Sequence, residues 1–247
     1  MTEQKTTVSE HLIELRSRLI KSIIFLFLTF IICYIFSEKI YNFLVDPYAQ
    51  AVKDDGNNRR LIFTALHETF LTYLKLAFFS AFFFSCPLIL IQIWKFIAPG
   101  LYKDEKLALF PFLVATPILF LLGGMLVYYL IMPIAIKFFL SFESVSVNGS
   151  LPIQLEAKVN EYLSLVMRLI LAFGISFQLP VFLTLLAKVG FITSEYSKTR
   201  RKYVVITIFS MAALLTPPDP ITQIGLALPL LLLYEISIYT VKLVEKK

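Results

Sequence analysis

The stretch LALFPFLVATPILFLLGGMLVYYLIMPIAI, from Leu107 to Ile136, contains no charged side chain. A helix needs roughly 20 predominantly apolar residues to cross about 30 Å of hydrocarbon. This stretch is longer than that, so we expect it to tilt or to kink at Pro111, Pro117 or Pro133. It predicts a transmembrane α-helix.

The composition of the whole chain agrees with a membrane protein. Of the 247 residues, 58% are hydrophobic and 16% are charged, and the mean hydropathy is +0.78. A soluble domain carries about 25% charged residues. The apolar residues lie in long runs separated by short charged or proline-containing loops, which is typical of a polytopic α-helical membrane protein. The runs predict one all-α membrane domain over residues 1–247, with six transmembrane helices at about 20–36, 70–93, 107–136, 162–187, 203–216 and 221–241.

The fifth run, 203–216, is the shortest of the six. At about 1.5 Å of rise per residue it covers only about 21 Å. A re-entrant or interfacial segment is therefore the alternative interpretation of this run.

The basic residues predict the orientation of the helices. With six spans, the side that holds both termini and the second and fourth loops carries fifteen Lys and Arg residues, and the other side carries six. The positive-inside rule then places both termini in the cytosol. The formal net charge of +6 follows mainly from this asymmetry. Because the basic residues are scattered over short loops, we do not expect a nucleic-acid partner.

The sequence offers little for catalysis, metal binding or solute transport. The first apolar run lacks the features of a cleavable signal peptide and should remain as the first helix. Cys33 and Cys86 lie inside apolar runs, and with His11 and His67 they give no metal-ligand spacing. No nucleophile has a paired base and no glycine-rich phosphate loop is present, so we expect neither an enzyme nor a cofactor. A proton-coupled small-solute transporter is the competing interpretation, although the chain has no repeated half.

The segment HLIELRSRL, from His11 to Leu19, directly precedes the first span. A capping box at residues 7–10 predicts that a helix begins near Val8. Its apolar and polar residues fall on opposite faces, so we expect an amphipathic helix that lies along the cytosolic interface and then enters the bilayer.

This basic segment carries a carboxylate, Glu14, and the loop PGLYKDEK carries another, Glu105. Two acids at a basic membrane surface suggest a receptor for a ligand with two positive charges. The alternative is structural. Glu14 would form an i,i+4 ion pair with Arg18, and Glu105 would be a favourable acid in the first turn of the third helix.

Four motifs carry a resemblance to a known family. They are HLIELRSRL, FSCPLILIQIWKFIAPGLYKDEK, AFGISFQLP and LLTPPDPITQIGLALPLLLLYE, and they occur in this order. Together they resemble the TatC subunit of the twin-arginine (Sec-independent) protein translocase. The resemblance extends from about Ser9 to Val241.

The resemblance implies a receptor that binds the twin-arginine signal peptides of folded precursors at the cytosolic face of the bacterial inner membrane. It implies TatA- and TatB-type single-span partners, a homo-oligomer within the complex, and export driven by the proton-motive force. The helices should form a concave bundle that admits partner and signal helices laterally. Signal recognition falls on the positions that match the family's motifs, which are Glu14, Glu105, Arg16, Phe96 and Pro99. The last three also have structural interpretations, as a lipid-phosphate contact, an interfacial aromatic and a turn.

The family also implies roles for positions within or beyond the membrane. Asp219 and Gln223 match a region linked to the partner subunits, although Asp219 suits the start of the sixth helix equally well. The fourth-helix motif of this family commonly carries a glutamate where this chain has Gln178. A neutral amide carries no proton but can still bind a partner helix. Arg168, ten residues earlier, should face an external concavity or a partner acid.

Overall fold

The computed structural model describes residues 8–53, 60–97, 106–143, 153–188, 190–216 and 220–245. Nearly all of these residues are α-helical, and the one β-type pairing is an isolated bridge. The described helices are α1 (Val8–Ile35), α2 (Ser37–Lys53), α3 (Glu68–Ile97), α4 (Lys106–Leu126), α5 (Met132–Leu140), α6 (Val159–Ser176), α7 (Leu179–Lys188), α8 (Ser194–Thr199), α9 (Arg201–Leu215) and α10 (Pro220–Glu245).

Within the described ranges, five helical segments are long and apolar enough to cross a membrane. They are Leu12–Ile35, Glu68–Ile93, Pro111–Leu140, Val159–Lys188 and Thr222–Glu245. All five coincide with predicted runs. The remaining run became α9, which has 15 residues and is about 22 Å long. A sixth span therefore stays a prediction.

The N-terminal segment and the first span form one uninterrupted helix, α1. The helix predicted to begin near Val8 is present and continues into the span. Its path along the membrane surface stays a prediction. The junction contains no Gly or Pro that would break the helix, and the Ser22 hydroxyl donates to the Arg18 carbonyl across it at 3.0 Å. The segment that carries Glu14 is therefore a direct extension of the span.

The apolar runs did not predict α2, because its sequence is amphipathic and falls between the first two runs. Its buried residues Leu44, Tyr48 and Val52 recur every four positions, which is the spacing of one helix face. Pro47 lies inside this helix and cannot donate to the Phe43 carbonyl four residues earlier.

A tyrosine from outside α2 satisfies that carbonyl. The Tyr128 hydroxyl donates to the Phe43 carbonyl at 2.8 Å, and the two rings stack with their centroids 4.4 Å apart. The buried Tyr162 hydroxyl donates to the next carbonyl, that of Leu44, at 3.0 Å. These two bonds fix α2 against the spanning helices.

The third span departs from regular α-helix before Pro133, one of the three prolines expected to disturb it. Helix α4 runs through Pro111 and Pro117. Residues Val127–Ile131 then form a π-helical turn, in which the Met132 N–H donates to the Val127 carbonyl. A proline ring clashes with the carbonyl four residues before it, and the wider π turn accommodates that clash.

The fourth span is broken into α6 and α7, which the apolar run did not predict. Phe177 and Gln178 form a turn between the two helices. Pro180 lies just beyond this turn, where it cannot donate an i→i−4 bond and where it restricts the residue before it. The break places the Gln178 side chain at the join of two helices.

Helix α6 supplies the centre of the core, including the fully buried Leu163, Leu169 and Phe173. Its crossing with α4 is made close by two glycines. A Cβ on Gly123 would lie 2.7 Å from the Phe173 carbonyl oxygen, and a Cβ on Gly174 would lie 2.8 Å from the Phe120 ring. Small residues at such crossings let helix backbones approach within a membrane protein.

The segments that precede α3 and α6 meet at one end of the bundle. We call the end at which Ile62 pairs with Lys158 the bridged end. The Ile62 N–H donates to the Ala157 carbonyl at 3.1 Å, and the Val159 N–H donates to the Ile62 carbonyl at 2.9 Å. This pairing joins the chain before α3 to the start of α6. It therefore places the first turns of α3 and α6 side by side.

Candidate functional site

The Glu14 carboxylate is paired with a neighbouring arginine of its own helix. Arg18 Nη2 lies 2.6 Å and Arg18 Nε lies 3.0 Å from the same oxygen, Glu14 Oε1. The i,i+4 ion pair weighed as the structural alternative is therefore present. Both side chains remain partly accessible, with 38% of Glu14 and 23% of Arg18 exposed.

The second oxygen of Glu14 accepts no hydrogen bond from the described part of the chain. Both bonds from Arg18 go to Oε1, so Oε2 keeps its acceptor capacity. An ionised carboxylate has about four lone-pair sites in total. Glu14 therefore has room for a further cationic donor while Arg18 stays in place.

Arg18 also connects α1 to α3. Its Nη1 donates to Gln92 Oε1 at 3.0 Å. Gln92 lies one helical turn before Phe96 on α3, so the two side chains share a face of that helix. Phe96 is half-buried, and Arg16 on α1 is exposed. The structure thus brings the Glu14 end of α1 against the Phe96 end of α3.

Three predicted site residues lie outside the described ranges. They are Pro99, Glu105 and Asp219, and their roles stay predictions.

Gln178 is 6% exposed and is anchored on one side only. Its Nε2 donates to the Thr116 carbonyl of α4 at 2.9 Å. Its Oε1 is buried and has no hydrogen-bond partner within the described ranges. The acceptor at Thr116 fixes the orientation of the amide, because a flipped amide would set two oxygens against each other. A buried acceptor thus remains available beside the helix break.

Gln223 is half-buried at the start of α10, and its Nε2 lies 3.5 Å from the Phe209 carbonyl of α9. Farther along α10, Glu235 Oε2 lies 2.7 Å from Nη2 of Arg201, the first residue of α9. This ion pair gives Glu235 a role that spacing alone had not revealed. Within the described ranges, no group of three or more metal-ligating side chains converges.

Comparison with known proteins identifies the family. The model of the family described as Sec-independent protein translocase protein (TatC) matches residues 10–229. The chain belongs to the TatC family. It is 47% identical over 245 residues to the TatC protein of Magnetococcus marinus, covering 99% of this chain and 87% of that relative. It is 44% identical over 236 residues to the TatC protein of Rickettsia prowazekii, covering 96% and 92%.

Solved structures agree with this assignment. A crystal structure described as the twin-arginine translocase receptor TatC superposes with a TM-score of 0.80 at 37% identity, covering 96% of this chain and 100% of that one. A second crystal structure of that receptor, in DDM, gives the same TM-score over 93% of this chain. The protein is thus a membrane-embedded component of a protein translocase.

The contact between α1 and α3 includes one residue that was not predicted from the sequence. Gln92 was not singled out, although it lies inside the motif FSCPLILIQIWKFIAPGLYKDEK that carried the resemblance. The available signal was its position four residues before Phe96, because residues with that spacing share a helix face. The partner of Gln92, Arg18, is 74 residues away in sequence, and no local pattern indicates such a pairing.

Proposed function

We propose that this protein is the receptor core of a twin-arginine translocase and that it binds the paired arginines of a signal peptide at the cytosolic ends of α1 and α3. The observation that carries the proposal is the position of Glu14, a partly exposed carboxylate with one oxygen unoccupied by described residues. Arg18, the partner of Glu14, also bonds Gln92, so α1 and α3 meet beside this carboxylate. In this proposal Glu105 supplies the second carboxylate, and Arg16, Phe96 and Pro99 complete the surface.

The chemistry of arginine explains why two carboxylates would select a twin-arginine motif. A guanidinium presents a planar fork of N–H donors that matches a carboxylate, and a lysine ammonium cannot reproduce that geometry. In the free protein Arg18 already uses Glu14 Oε1. A signal arginine must therefore either bind through Oε2 alone or displace Arg18 from the carboxylate. For a signal arginine that binds both oxygens, Arg18 is an internal competitor of modest strength, because an i,i+4 ion pair is worth only about 0.3–0.5 kcal/mol.

The remaining features of the proposal concern the assembly. We propose six spans, with α9 as a short fifth span and both termini in the cytosol, arranged as one concave membrane domain of the bacterial inner membrane. TatA- and TatB-type partner helices and further copies of this chain would join the complex, with Gln178, Asp219 and Gln223 contributing to helix contacts. The protein would act as a receptor without catalytic chemistry, in a process driven by the proton-motive force. Gln178 carries no titrating proton, so coupling would have to use other groups.

An export assay tests the proposal. The chain is expressed with its single-span partners in a bacterial strain that lacks its own TatC-type subunit, together with a folded reporter that carries a twin-arginine signal. We expect export with the wild-type chain and its loss with Glu14→Gln or Glu105→Gln. Glu38→Gln, which removes an exposed acid at the start of α2, is the matched control and should preserve export.

Two results would count against the proposal. Export that survives both substitutions would remove the carboxylates from signal recognition. Uptake of a labelled small solute by proteoliposomes containing this chain alone would favour the transporter interpretation instead.

A further inference from the structure

A cavity between α3 and α6 places two cations against an apolar wall. It has a volume of about 490 Å³ and is lined by two charged residues, Lys75 of α3 and Arg168 of α6. Except for Ser164, the other lining residues are apolar, and they include Phe78 and Leu171. Ionisable residues at membrane depth are costly and indicate function.

A second cavity extends this space toward the bridged end. It has a volume of about 290 Å³ and shares Lys75 with the first. Its other lining residues include Asn160, whose Oδ1 accepts a hydrogen bond from Lys75 Nζ at 3.1 Å. We call the two cavities together the α3–α6 groove. The groove is polar at the bridged end and becomes apolar toward the middle of the helices.

The acids that line the groove are already engaged. Glu161 pairs with Lys158 at 3.7 Å. Glu68 accepts from the backbone N–H groups of Thr64 and Ala65 at 2.7 Å and 3.3 Å. Lys75 and Arg168, the two cations of the first, inner cavity, therefore have no acidic partner within the described ranges. The groove thus carries uncompensated positive charge.

The depth of these cations suits the boundary between lipid headgroups and acyl chains. Arg168 lies nine residues after the start of α6, or about 14 Å along the helix. Lys75 lies seven residues after the start of α3, or about 10 Å. Long basic side chains extend from such depths toward the polar surface, and Arg168 is exposed. The positive charge therefore lies between the polar bridged end and the apolar part of the groove.

We propose that the α3–α6 groove binds the phosphate of an anionic phospholipid from the leaflet at the bridged end. Lys75 and Arg168 contact the phosphate, and an acyl chain lies along Phe78 and Leu171.

The size of the inner cavity argues against a partner helix as the occupant. One turn of a helix, about 10 Å across with a rise of 5.4 Å, fills roughly 420 Å³. The inner cavity thus holds about one turn, and a spanning partner helix would leave most of its length outside the groove.

Native mass spectrometry of the detergent-purified full chain tests this proposal. The protein is titrated with phosphatidylglycerol and, separately, with phosphatidylcholine. We expect tighter binding of phosphatidylglycerol, and Arg168→Gln should weaken that binding about tenfold, because one charge-assisted hydrogen bond is lost. Arg168→Lys, which keeps the charge, should retain most of the affinity. Arg200→Gln removes an exposed arginine between α8 and α9 and is the control that should change nothing.

Several results would overturn the proposal. Equal affinity for the two lipids would do so, and so would an equal loss of phosphatidylglycerol in the Arg168→Gln and Arg200→Gln variants. Displacement of phosphatidylglycerol by the same concentration of inorganic phosphate would show that the acyl chain contributes nothing. Normal lipid binding by Arg168→Gln, combined with loss of a co-purifying single-span partner, would identify a partner carboxylate as the ligand. Signal-peptide binding, measured on the same samples, should not change, which separates this proposal from the proposed function.

Discussion

Replacing Gly123 by alanine tests the close crossing of α4 and α6. The added Cβ would lie 2.7 Å from the Phe173 carbonyl oxygen and 2.8 Å from its carbon. Carbon–oxygen contacts normally begin at about 3.3 Å, so α4 and α6 must separate by about half an ångström. Both obstructing atoms belong to backbone and cannot rotate away. Overpacking of this kind costs about 1–3 kcal/mol.

Gly225→Ala in α10 is the matched control. Its Cβ would meet only Ile131 Cδ1, at 3.2 Å, and the end of a flexible side chain can move. Both substitutions gain the same helix propensity of about 1 kcal/mol, so their difference isolates the crossing. With about 2–4 °C per kcal/mol for a chain of this size, Gly123→Ala should melt about 2–12 °C below Gly225→Ala.

The chain provides its own probe for this measurement. Its two cysteines, Cys33 and Cys86, are both free and buried, so a thiol-reactive fluorescent dye reports unfolding in detergent. The midpoint is read from the fluorescence increase on heating. Equal midpoints for the two alanine variants would refute the close approach of α4 and α6 and the argument built on it.

Three further predictions concern buried polar groups and the internal ion pair. Tyr128→Phe removes the hydroxyl that donates to the Phe43 carbonyl. It should lower stability by about 1–3 kcal/mol in the same thermal assay. Tyr129→Phe changes an exposed tyrosine and should leave stability unchanged. Gln178→Leu should change stability by less than about 1 kcal/mol, since it removes a single bond and an unpaired acceptor together. Gln178→Glu should be clearly less stable than Gln178→Leu at neutral pH, because it buries a carboxylate. Arg18→Gln should tighten twin-arginine peptide binding about twofold, because it releases a competitor for Glu14 worth about 0.5 kcal/mol, and unchanged or weaker binding measured by fluorescence anisotropy would contradict that role.

The positions of the spanning helices could be predicted from the sequence because their signal is local. Hydrophobic length alone determines whether a segment such as Pro111–Leu140 can cross a bilayer. The same criterion missed α2, whose burial is amphipathic and depends on packing against the spanning helices. It also missed the break at Phe177–Gln178, because a proline within an apolar run signals either a kinked continuous helix or a real interruption, and tertiary contacts decide which one forms.

The candidate site was predictable in its residue types but not in its contacts. Spacing alone suggested the Glu14–Arg18 pair, which the structure contains. The bond from Arg18 to Gln92 joins residues on different helices, and the same is true of the contact between Gln178 and the Thr116 carbonyl. Such contacts depend on how helices rotate and cross, and small residues far away in sequence determine that geometry.

Binding of a twin-arginine signal peptide, compared with its twin-lysine version, tests whether this chain itself recognises the arginine pair. The purified full chain in nanodiscs is titrated as wild type, Glu14→Gln, Glu105→Gln and the control Glu38→Gln. We expect selective binding of the arginine peptide, weakened about tenfold or more by each of the first two substitutions and unchanged in the control. Equal binding of both peptides, unaffected by any substitution, would contradict a receptor site at Glu14 and Glu105 and move signal recognition to a partner subunit.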